Sequence, residues 1–564
     1  MPASFPEIHA ALTAPGQLFE VATEEIRGIS TQVWKSAAPS LPAILLASRA
    51  HADRTFLVYA EERLSFEDHF RRAAAFAHRL IEDHGIRKGD RVAIAMRNFP
   101  EWSIAFWGAS AAGAVVAPLN SWGTGPELAF TLEDSGARVL VADAERIERI
   151  TPHLGDLALE AVVAARCEEP PASSLRLEDL IGDPPSEVTL PEIPLEPEDD
   201  ATLFYTSGTT GRPKGAIGTH RNICSAVVSM AFSQLRGMMR SGLPLPEPGK
   251  ATEPPSYLLS APFFHVVGCH GVLVNMAAFG GKIVLMHRWD PDRALELIES
   301  EKITSIGGVP AMIAQLMDSP HFSDHDTSSM AMIGYGGAPA PPELLHRIEK
   351  YFPDVTASNG YGLTETSSIV TLNVGPDYAA RPESVGPAIP ICETKVVDSE
   401  GKELPPGELG ELWLRGSNVV RGYWNRPDAT AEDFTNGWFH TGDLARIEED
   451  GFITIVDRIK DMVIRGGENV YCAEVEAALF EHADVQDAAV IGIPHATLGE
   501  EVGAVVQRRA GGKANEETLR SHVADRLAAF KVPSRVWIAD EPLPRNAAGK
   551  VLKRELKERF LASN

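Results

Sequence analysis

The first clear pattern in the chain lies at residues 65–96, where apolar residues recur at helical spacing and then form a continuous run. Ser65 followed by Asp68 matches a helix capping box, and Gly85 would end the helix. The apolar run 91–96 predicts a buried strand. The residues that share one stripe of the helix are Phe66, Phe70, Ala73, Ala77, Leu80 and Ile81.

The same alternation of helix and strand returns at residues 138–142 and 293–306. Repeated alternation predicts α/β structure, with parallel sheets covered by helices. The uncharged run 102–119 is about long enough to span a bilayer. However, it consists mostly of Ala, Gly and Ser and ends near Pro118, so we predict a buried helix followed by a buried strand.

The pattern changes twice towards the C-terminus. From about residue 390, short β-like runs are separated by Gly and Pro, which predicts a small antiparallel or barrel-like unit. After residue 461 a helix-like segment at 473–482 precedes strand-like segments at 487–494 and 502–507. A further helix is predicted to hold four apolar residues in register: Leu519, Val523, Leu527 and Phe530. These segments predict an α+β region that is large enough to form a domain of its own.

Composition limits the class of protein. At 564 residues the chain is too long for one core and should form several domains. The net charge of −26 argues against a general nucleic-acid binder but does not exclude a small anionic ligand. The five cysteines are far apart without a CxxC pair, which disfavours a zinc site or a disulfide framework. Together with first residues that lack the order of a signal peptide, this predicts a cytoplasmic protein.

Two proline-rich stretches, 184–200 and 241–256, read as exposed connections, the second as a mobile surface loop. The first leads into "TSGTTGRPKG" at residues 206–215, whose glycines, hydroxyls and Lys214 would suit a phosphate. In a Walker A loop Gly and Lys are adjacent and a hydroxyl follows, whereas Lys214 here lies between Pro213 and Gly215. From its own residues, the segment is either a phosphate-binding loop or a glycine-rich turn.

Four other segments carry similar candidate chemistry, although each alone is compatible with a solvated turn or a charged tail. One sets Tyr361 between two glycines, where a ring could stack a base, and follows it with Thr364 and Glu365, a pair suited to magnesium and phosphate. Another contains a carboxylate able to accept ribose hydroxyls, Asp443, and the permanent cation Arg458. The four segments are 334–341 ("GYGGAPAP"), 358–367 ("SNGYGLTETS"), 438–461 and 543–556.

These segments, in this order, resemble the motifs of the adenylate-forming superfamily, which includes acyl-CoA synthetases, luciferases and peptide-synthetase adenylation domains. The resemblance covers roughly residue 40 to the C-terminus. It implies an α/β fold with two doubly wound sheets and a small β-barrel-like unit in a large N-terminal domain, residues 1–459. A small, mobile α+β C-terminal domain would comprise residues 460–564. The sequence of residues 457–471 is similar to the corresponding segment of fatty-acid–CoA ligases (FadD-like).

The resemblance also implies the role of each motif residue. ATP would contact Thr364 at its α-phosphate and Asp443, assisted by Arg458, at its ribose, while Glu365 would bind Mg²⁺. The residues implied to grip the β- and γ-phosphates are Thr206, Ser207, Gly208, Thr209, Thr210, Gly211 and Lys214. Those implied to surround the adenine are Gly336, Gly337, Ala338, Pro339, Asn359, Gly360, Tyr361 and Gly362.

The remaining implied residues serve the two half-reactions of the superfamily. Lys550 would bridge the carboxylate and the α-phosphate during adenylate formation. His265, which the residues alone favour as a core histidine at the end of an apolar strand, would by the resemblance line the acyl or thiol channel. Lys460 would be the hinge about which the C-terminal domain rotates, and Gly467 would make room for the pantetheine arm of coenzyme A.

The predicted activity is therefore that of an acyl-CoA synthetase, which converts a carboxylic acid, ATP and coenzyme A into acyl-CoA, AMP and pyrophosphate. A medium- or long-chain fatty acid is the first choice, with an aryl or branched acid as the alternative. The resemblance disfavours an amino acid, because peptide-synthetase adenylation domains usually carry an acidic residue here to meet the amino group, and the segment 260–268 has none. A luciferase-like oxidation of the adenylate and a non-catalytic relative are the rival readings. A homodimer is left open.

Overall fold

A computed structural model describes residues 5–172, 174–206, 212–243, 245, 254–337, 342–509, 511–546 and 549–561. The helix predicted after Ser65 spans Phe66–Glu82, and Ser65 caps it by accepting a hydrogen bond from the Asp68 backbone N–H at 3.0 Å. Its predicted apolar stripe is buried, apart from the half-buried Ile81. The predicted strand follows at Arg91–Ala95. The prediction for this segment is confirmed.

Seven strands of the described residues form the first sheet, and its inner strands are buried on both faces. Val92 and Ile94 pack against the helices Phe66–Glu82 and Pro100–Ala111, while the alternate residues Ala93 and Ala95 belong to a separate core on the other face. That second face is covered by Gly125–Ser135 and Ala144–Ile150. In spatial order the strands are Lys214–Thr219, Asp200–Thr206, Val115–Pro118, Arg91–Ala95, Val139–Asp143, Ala161–Ala165 and Ser174–Arg176.

The second sheet has eight strands and shares a core with the first. Leu259 faces that shared core, while Leu258 faces a core formed with the helices Pro291–Glu301, Pro310–Asp318 and Pro342–Tyr351. Helices on both faces make both sheets doubly wound, as predicted. In spatial order the strands are Thr371–Val374, Thr356–Tyr361, Met332–Gly336, Ser305–Gly308, Ser256–Leu259, Lys282–Leu285, Thr55–Tyr59 and Glu62–Ser65.

The segment from 386 to 458 forms an antiparallel sheet of six strands, which confirms the predicted small antiparallel unit. Its core joins the long helix His220–Ser241 and the N-terminal hairpin Val21–Ile26 and Ile29–Trp34. The six strands are Gly386–Pro387, Cys392–Val397, Gly410–Gly416, Phe434–Thr435, Trp438–Ile447 and Phe452–Arg458. The described residues up to Arg458, which comprise these three sheets with their helices and loops, are called the N-terminal unit below.

The described residues from 463 to 561 are called the C-terminal unit below. They form a five-stranded sheet with three helices, and their two hydrophobic clusters are separate from the cores of the N-terminal unit. The last strand of the N-terminal unit ends at Arg458 and the first strand of this sheet begins at Val463. The domain boundary at 459/460 stays a prediction. The strands are Val463–Arg465, Glu468–Val470, Val485–His495, Gly499–Arg508 and Arg535–Ala539, and the helices are Cys472–Phe480, Glu516–Ala524 and Lys553–Leu561.

The helix predicted to carry Leu527 and Phe530 is shorter than expected. It ends at Ala524, and Ala528 leaves the helical region with φ −58° and ψ 147° before a short 3₁₀ turn at Ala529–Lys531. Leu527 and Phe530 still pack against the same core as Leu519 and Val523. The apolar register was right, but a turn rather than a continuous helix delivers its last two members.

Other predicted segments also have definite outcomes. The uncharged run 102–119 forms the buried helix Pro100–Ala111 and the buried strand Val115–Pro118, as predicted. Among the described residues no helix is both long and apolar enough to cross a membrane. Residues 184–199 contain neither helix nor strand, whereas most of 241–256 lies outside the described residues. A homodimer and a cytoplasmic location stay predictions.

Other short elements complete the described chain. The helices are Phe5–Thr13, Leu41–Ser48, Leu177–Ile181, Asn275–Phe279, Pro376–Ala380 and Pro427–Asp433, with a π-helix at Val267–Val274. Short 3₁₀ turns lie at Arg49–His51, Thr151–Asp156, Phe322–Asp324 and Thr364–Thr366. The π-helix and the last of these turns reappear below because they border the candidate site.

Candidate active site

The two segments that were predicted to surround the adenine lie at the carboxyl ends of neighbouring parallel strands in the second sheet. Gly336 ends one strand and is paired in register with Gly360 on the next. A Cβ atom on Gly336 would lie 2.4 Å from the Gly360 carbonyl oxygen, so this position requires glycine. Gly337 follows with φ +74°. Crevices at the carboxyl ends of such strands are common ligand sites. Ala338 and Pro339 lie outside the described residues.

Tyr361, Asp443 and Arg458 form one hydrogen-bonded group although they come from two sheets. The Tyr361 hydroxyl donates to Asp443 Oδ2 at 2.6 Å, and Arg458 Nε lies 3.0 Å from Asp443 Oδ1. Asp443 and Arg458 are cross-strand partners, which places both on one sheet edge. Asp443 is buried, and each of its oxygens retains a lone pair for a further donor such as a sugar hydroxyl. Asn359 is buried on the same strand as Tyr361.

Thr364 and Glu365 lie on a tight 3₁₀ turn that is anchored by close backbone contacts. A Cβ atom on Gly362 would lie 1.6 Å from the Ser368 carbonyl oxygen, so only glycine fits there. Ser368 has φ 109°, a strained conformation for a residue with a side chain. Glu365 is 8% exposed, and burial raises the pKa of its carboxyl group above the usual range. Tyr423 donates a hydrogen bond to Glu365 Oε1 at 2.9 Å.

The glycine-rich loop connects two antiparallel strands of the first sheet, Asp200–Thr206 and Lys214–Thr219. Thr206 and Lys214 are paired in register at its two ends. Lys214 Nζ lies 2.8 Å from Asp433 Oδ2 and 4.2 Å from the centroid of the Tyr423 ring. The predicted residues between these ends, Ser207, Gly208, Thr209, Thr210 and Gly211, lie outside the described residues.

Lys550 comes from the C-terminal unit and lies in the electrostatic field of the N-terminal site. Burial, the largest cause, and the charge of Arg458 together lower its pKa to about 8, against the opposing charges of Asp443 and Glu365. Its backbone N–H donates to Asn546 Oδ1 at 3.0 Å, which holds the loop that carries it. The preceding residue packs on the N-terminal unit: a Cβ atom on Gly549 would lie 2.7 Å from the side chain of Val309.

His265 lies close enough to Lys550 for the two side chains to interact electrostatically. Burial lowers the pKa of His265 to about 4, and the Lys550 ammonium contributes to the same shift. The imidazole is therefore neutral at pH 7. Asn98 holds this segment by accepting a hydrogen bond from the Phe263 N–H at 2.9 Å and donating to the Ala261 carbonyl at 3.0 Å.

Lys460 and Gly467 are not part of this cluster. Lys460 is exposed just beyond the strand that carries Arg458, and Gly467 is exposed in the turn between Val463–Arg465 and Glu468–Val470. Gly467 has φ +91°, so the turn requires glycine for its backbone conformation alone. The predicted roles of both residues, as hinge and as pantetheine contact, stay predictions.

Two residues of the site, Tyr423 and Asp433, were missed by the sequence analysis. They contact Glu365 and Lys214, from which they are separated by 58 and 219 positions. The stretch "RGYWNRP" at 421–427 sets an aromatic residue after glycine, as 358–367 does. That similarity was the one available signal.

Comparison with known proteins identifies the family. The profile of the AMP-binding enzymes matches residues 46–424, and that of the AMP-binding enzyme C-terminal domain matches residues 474–550. The chain belongs to this family, as the resemblance predicted. It is an AMP-forming acyl-CoA synthetase, an ATP-dependent acid–CoA ligase that works through an acyl-adenylate.

Individual relatives cover almost the whole chain. A feruloyl-CoA synthase of Amycolatopsis sp is 36% identical over 88% of this chain and 94% of its own length. Long-chain-fatty-acid–CoA ligase FadD13 of Mycobacterium tuberculosis is 32% identical over 92% and 98%. The solved structure of o-succinylbenzoate CoA synthetase from Bacillus subtilis, in complex with its acyl-adenylate intermediate, has a TM-score of 0.76. It is 30% identical over 92% of this chain and 98% of its own.

Proposed function

We propose that the acid is a medium- or long-chain fatty acid. The observation that supports this is the absence of formal charge from the segments that border Lys550 on the acyl side, residues 263–274 and 305–313. Their only ionisable side chains are His265, His270 and Cys269. Burial lowers the pKa of the two histidines to about 4 and about 3 and raises that of the thiol, so all three are neutral at pH 7.

The shape of these segments agrees with an apolar tail. Val267 opens a π-helix, Val267–Val274, and is 43% exposed within an otherwise buried apolar stretch. Gly307 allows close packing, because a Cβ atom there would lie 2.2 Å from the Tyr257 hydroxyl. An amine or a second carboxylate on the substrate would have no countercharge here, whereas an alkyl chain requires none.

In the proposed first half-reaction, a carboxylate oxygen attacks the α-phosphorus of ATP and the bond to pyrophosphate breaks. Both reactants are anions, so the barrier falls where fixed positive charge meets the developing negative charge. Lys550 would supply it at the carboxylate and the α-phosphate, and Lys214 at the β- and γ-phosphates. Thr364 would contact the α-phosphate, while Asp443 and Arg458 would hold the ribose beside the Tyr361 ring.

Glu365 is the candidate ligand for the magnesium ion that accompanies ATP. Its buried carboxylate has one oxygen that accepts a hydrogen bond from Tyr423, and the described residues contain no cluster of three potential metal ligands. One protein carboxylate with substrate phosphates is the arrangement magnesium usually takes, so this residue fits the ion. When bound, Mg²⁺ would neutralise phosphate charge.

In the proposed second half-reaction, the thiolate sulfur of coenzyme A attacks the acyl carbon and AMP leaves with the electrons of the carbon–oxygen bond. The neutral imidazole of His265 would line the path to that carbon. Since Lys550 belongs to the C-terminal unit, rotation about Lys460 would withdraw it and bring the turn at Gly467 towards the site.

A panel of acids tests the proposed substrate. AMP release would be measured with and without coenzyme A for octanoate, palmitate, ferulate, benzoate and an amino acid, with Lys550→Ala as the blank. We expect the highest kcat/KM for a fatty acid, dependence of turnover on coenzyme A, and formation of the acyl-CoA. A preference for ferulate of about tenfold or more would overturn the fatty-acid proposal.

An aryl acid is the second candidate, because the feruloyl-CoA synthase of Amycolatopsis sp is 36% identical over 88% of this chain. The same panel separates the two, since ferulate and palmitate differ in rigidity and length. A luciferase-like activity would instead show oxygen uptake and an oxidised product without coenzyme A. Measuring oxygen during the assay therefore distinguishes a ligase from an oxidising relative.

A further inference from the structure

Tyr423 lies between the two charged side chains that are proposed to bind the magnesium–triphosphate end of ATP. Its hydroxyl donates to Glu365 Oε1 at 2.9 Å, and the Lys214 ammonium lies 4.2 Å from the centroid of its ring. Tyr423 is 6% exposed, so both contacts are made largely out of water. Hydrogen bonds to a charged group and cation–π contacts are stronger when they are desolvated.

The backbone around Tyr423 is fixed to the strand that carries Lys214. Trp424 N–H donates to the Gly215 carbonyl at 2.8 Å, and Ile217 N–H donates to the Gly422 carbonyl at 3.1 Å. Tyr423 also forms an isolated antiparallel bridge with Ala216. These backbone contacts therefore fix the position of the Tyr423 ring relative to Lys214.

A second set of contacts holds the tyrosine from the opposite side. Its backbone N–H donates to Thr430 Oγ1 at 3.0 Å, and its ring meets Phe434 edge-on at 5.8 Å and 73°. The helix Pro427–Asp433, which contains Thr430, ends at Asp433, the carboxylate 2.8 Å from Lys214. Tyr423 is thus held rigidly enough to set the positions of other groups.

We propose that Tyr423 is a positioning residue that sets the Glu365 carboxylate and the Lys214 ammonium in fixed relative positions, so that one magnesium–triphosphate unit meets both. This inference rests on the proposed function, because it takes Glu365 as the magnesium ligand and Lys214 as a phosphate contact. The hydroxyl would act through Glu365 and the ring through Lys214. The two contributions should therefore separate in different substitutions.

Equilibrium binding of ATP, measured by calorimetry with magnesium and again with EDTA, tests this separation. Tyr423→Phe removes the hydroxyl and keeps the ring. We expect it to weaken binding of magnesium–ATP by roughly 10-fold to 100-fold, as for the loss of a hydrogen bond to a charged group. Binding of metal-free ATP should fall by less, because there the hydroxyl acts only through Asp433, the partner of Lys214. Tyr423→Leu also removes the ring and should weaken metal-free ATP by roughly 3-fold to 30-fold.

A control is available in Tyr378, a buried tyrosine on the helix Pro376–Ala380 whose hydroxyl forms a hydrogen bond with the Tyr335 hydroxyl. Tyr378→Phe should leave both binding constants unchanged; an equal loss in this variant would overturn the proposal, because the effect would then be general. Thermal melting of each variant checks folding. If Tyr423→Leu does not fold, Tyr423→Phe decides the question, since it keeps the packing of the ring.

A double-mutant cycle with Glu365→Gln gives the strictest test. The loss caused by Tyr423→Phe should largely disappear in the Glu365→Gln background, and independent, additive losses would overturn the proposal. Magnesium–ATP binding by Tyr423→Phe equal to that of the wild type would also overturn it, while the ligase activity of the wild type stayed intact. Failure of the wild type to form acyl-adenylate would instead overturn the proposed function.

Discussion

Replacing Lys550 by alanine separates the two half-reactions. Lys550 belongs to the C-terminal unit but lies in the field of Asp443, Glu365 and Arg458 in the N-terminal unit. If its ammonium bridges the carboxylate and the α-phosphate, the substitution removes positive charge only from adenylate formation. Transfer of a preformed acyl-adenylate to coenzyme A should continue.

The size of the effect follows from the surroundings of Lys550. The ammonium is partly withdrawn from water, since burial is the main cause that lowers its pKa to about 8. A preorganised charge in such a site contributes about as much as one oxyanion-hole donor, so adenylate formation should fall by roughly 10²–10³. The Asn546 contacts use backbone atoms of residue 550, so the loop should keep its conformation.

Two assays measure the half-reactions independently. Acid-dependent pyrophosphate exchange reports adenylate formation, and acyl-CoA formation from synthetic acyl-adenylate reports the second step. Lys557→Ala is the matched control, since its ammonium pairs with Glu500 at 3.3 Å on the surface of the C-terminal unit and should affect neither assay. Exchange by Lys550→Ala near the wild-type rate would refute the role of Lys550.

The pH profile supplies a second signature of the same residue. Lysine is charged below its pKa, so the Lys550 ammonium is present at pH 7 and is lost as the pH rises through about 8. The kcat/KM of adenylation, which reports the free enzyme, should fall by about tenfold per pH unit above that value. Lys550→Ala should lack this decline. A decline of the same steepness in the variant would show that another group causes it.

Three further predictions concern Gly336, which lies in the candidate adenine site, and two residues of the C-terminal unit, Gly467 and Arg509. Gly336→Ala should raise the KM for ATP and lower the melting temperature, because its Cβ atom would lie 2.4 Å from a backbone oxygen of the next strand; unchanged values would contradict the close contact. Gly467→Leu should spare pyrophosphate exchange and block acyl-CoA formation, and equal loss of both would refute the predicted pantetheine contact. Arg509→Ala removes a 2.6 Å ion pair between the C-terminal unit and Asp318, and should slow exchange by roughly 2-fold to 5-fold without slowing acyl transfer. Arg347→Ala, which removes the other partner of that carboxylate within the N-terminal unit, is its control.

The helices and strands of this protein can be predicted from its sequence because residues that face a core are apolar. Apolar residues therefore recur along the chain with the period of the element that carries them. The apolar stripe from Phe66 to Leu80 must face a core, and it does so on a helix of 17 residues, Phe66–Glu82. The run 91–96 is apolar at every position but one because its strand has helices on both faces. The helix that ends at Ala524 shows the limit: apolar register shows which side chains are buried, but not whether helix or turn delivers them.

The candidate site also has features that the sequence predicted and features that it did not. Glycines such as Gly336 and Gly362 stand where a Cβ atom would meet backbone, so the need for close approach was already present in the glycine-rich motifs. The contact of Tyr423 with Glu365 and Lys214 had no comparable local pattern. It arises because residues 422–424 pair with the strand 214–219.

The sequence by itself determined the alternating helices and strands, the change of texture after residue 390, and the motif residues whose order resembles one superfamily. Only the tertiary structure decided which residues meet: Tyr361 with Asp443, Glu365 with Tyr423, which no motif had indicated, and Lys550 with His265 through electrostatic coupling. The physical reason is range. Periodicity and backbone sterics act over a few neighbouring residues, whereas the charges of the site come from strands and loops that only sheet pairing and the packing of the two units bring together.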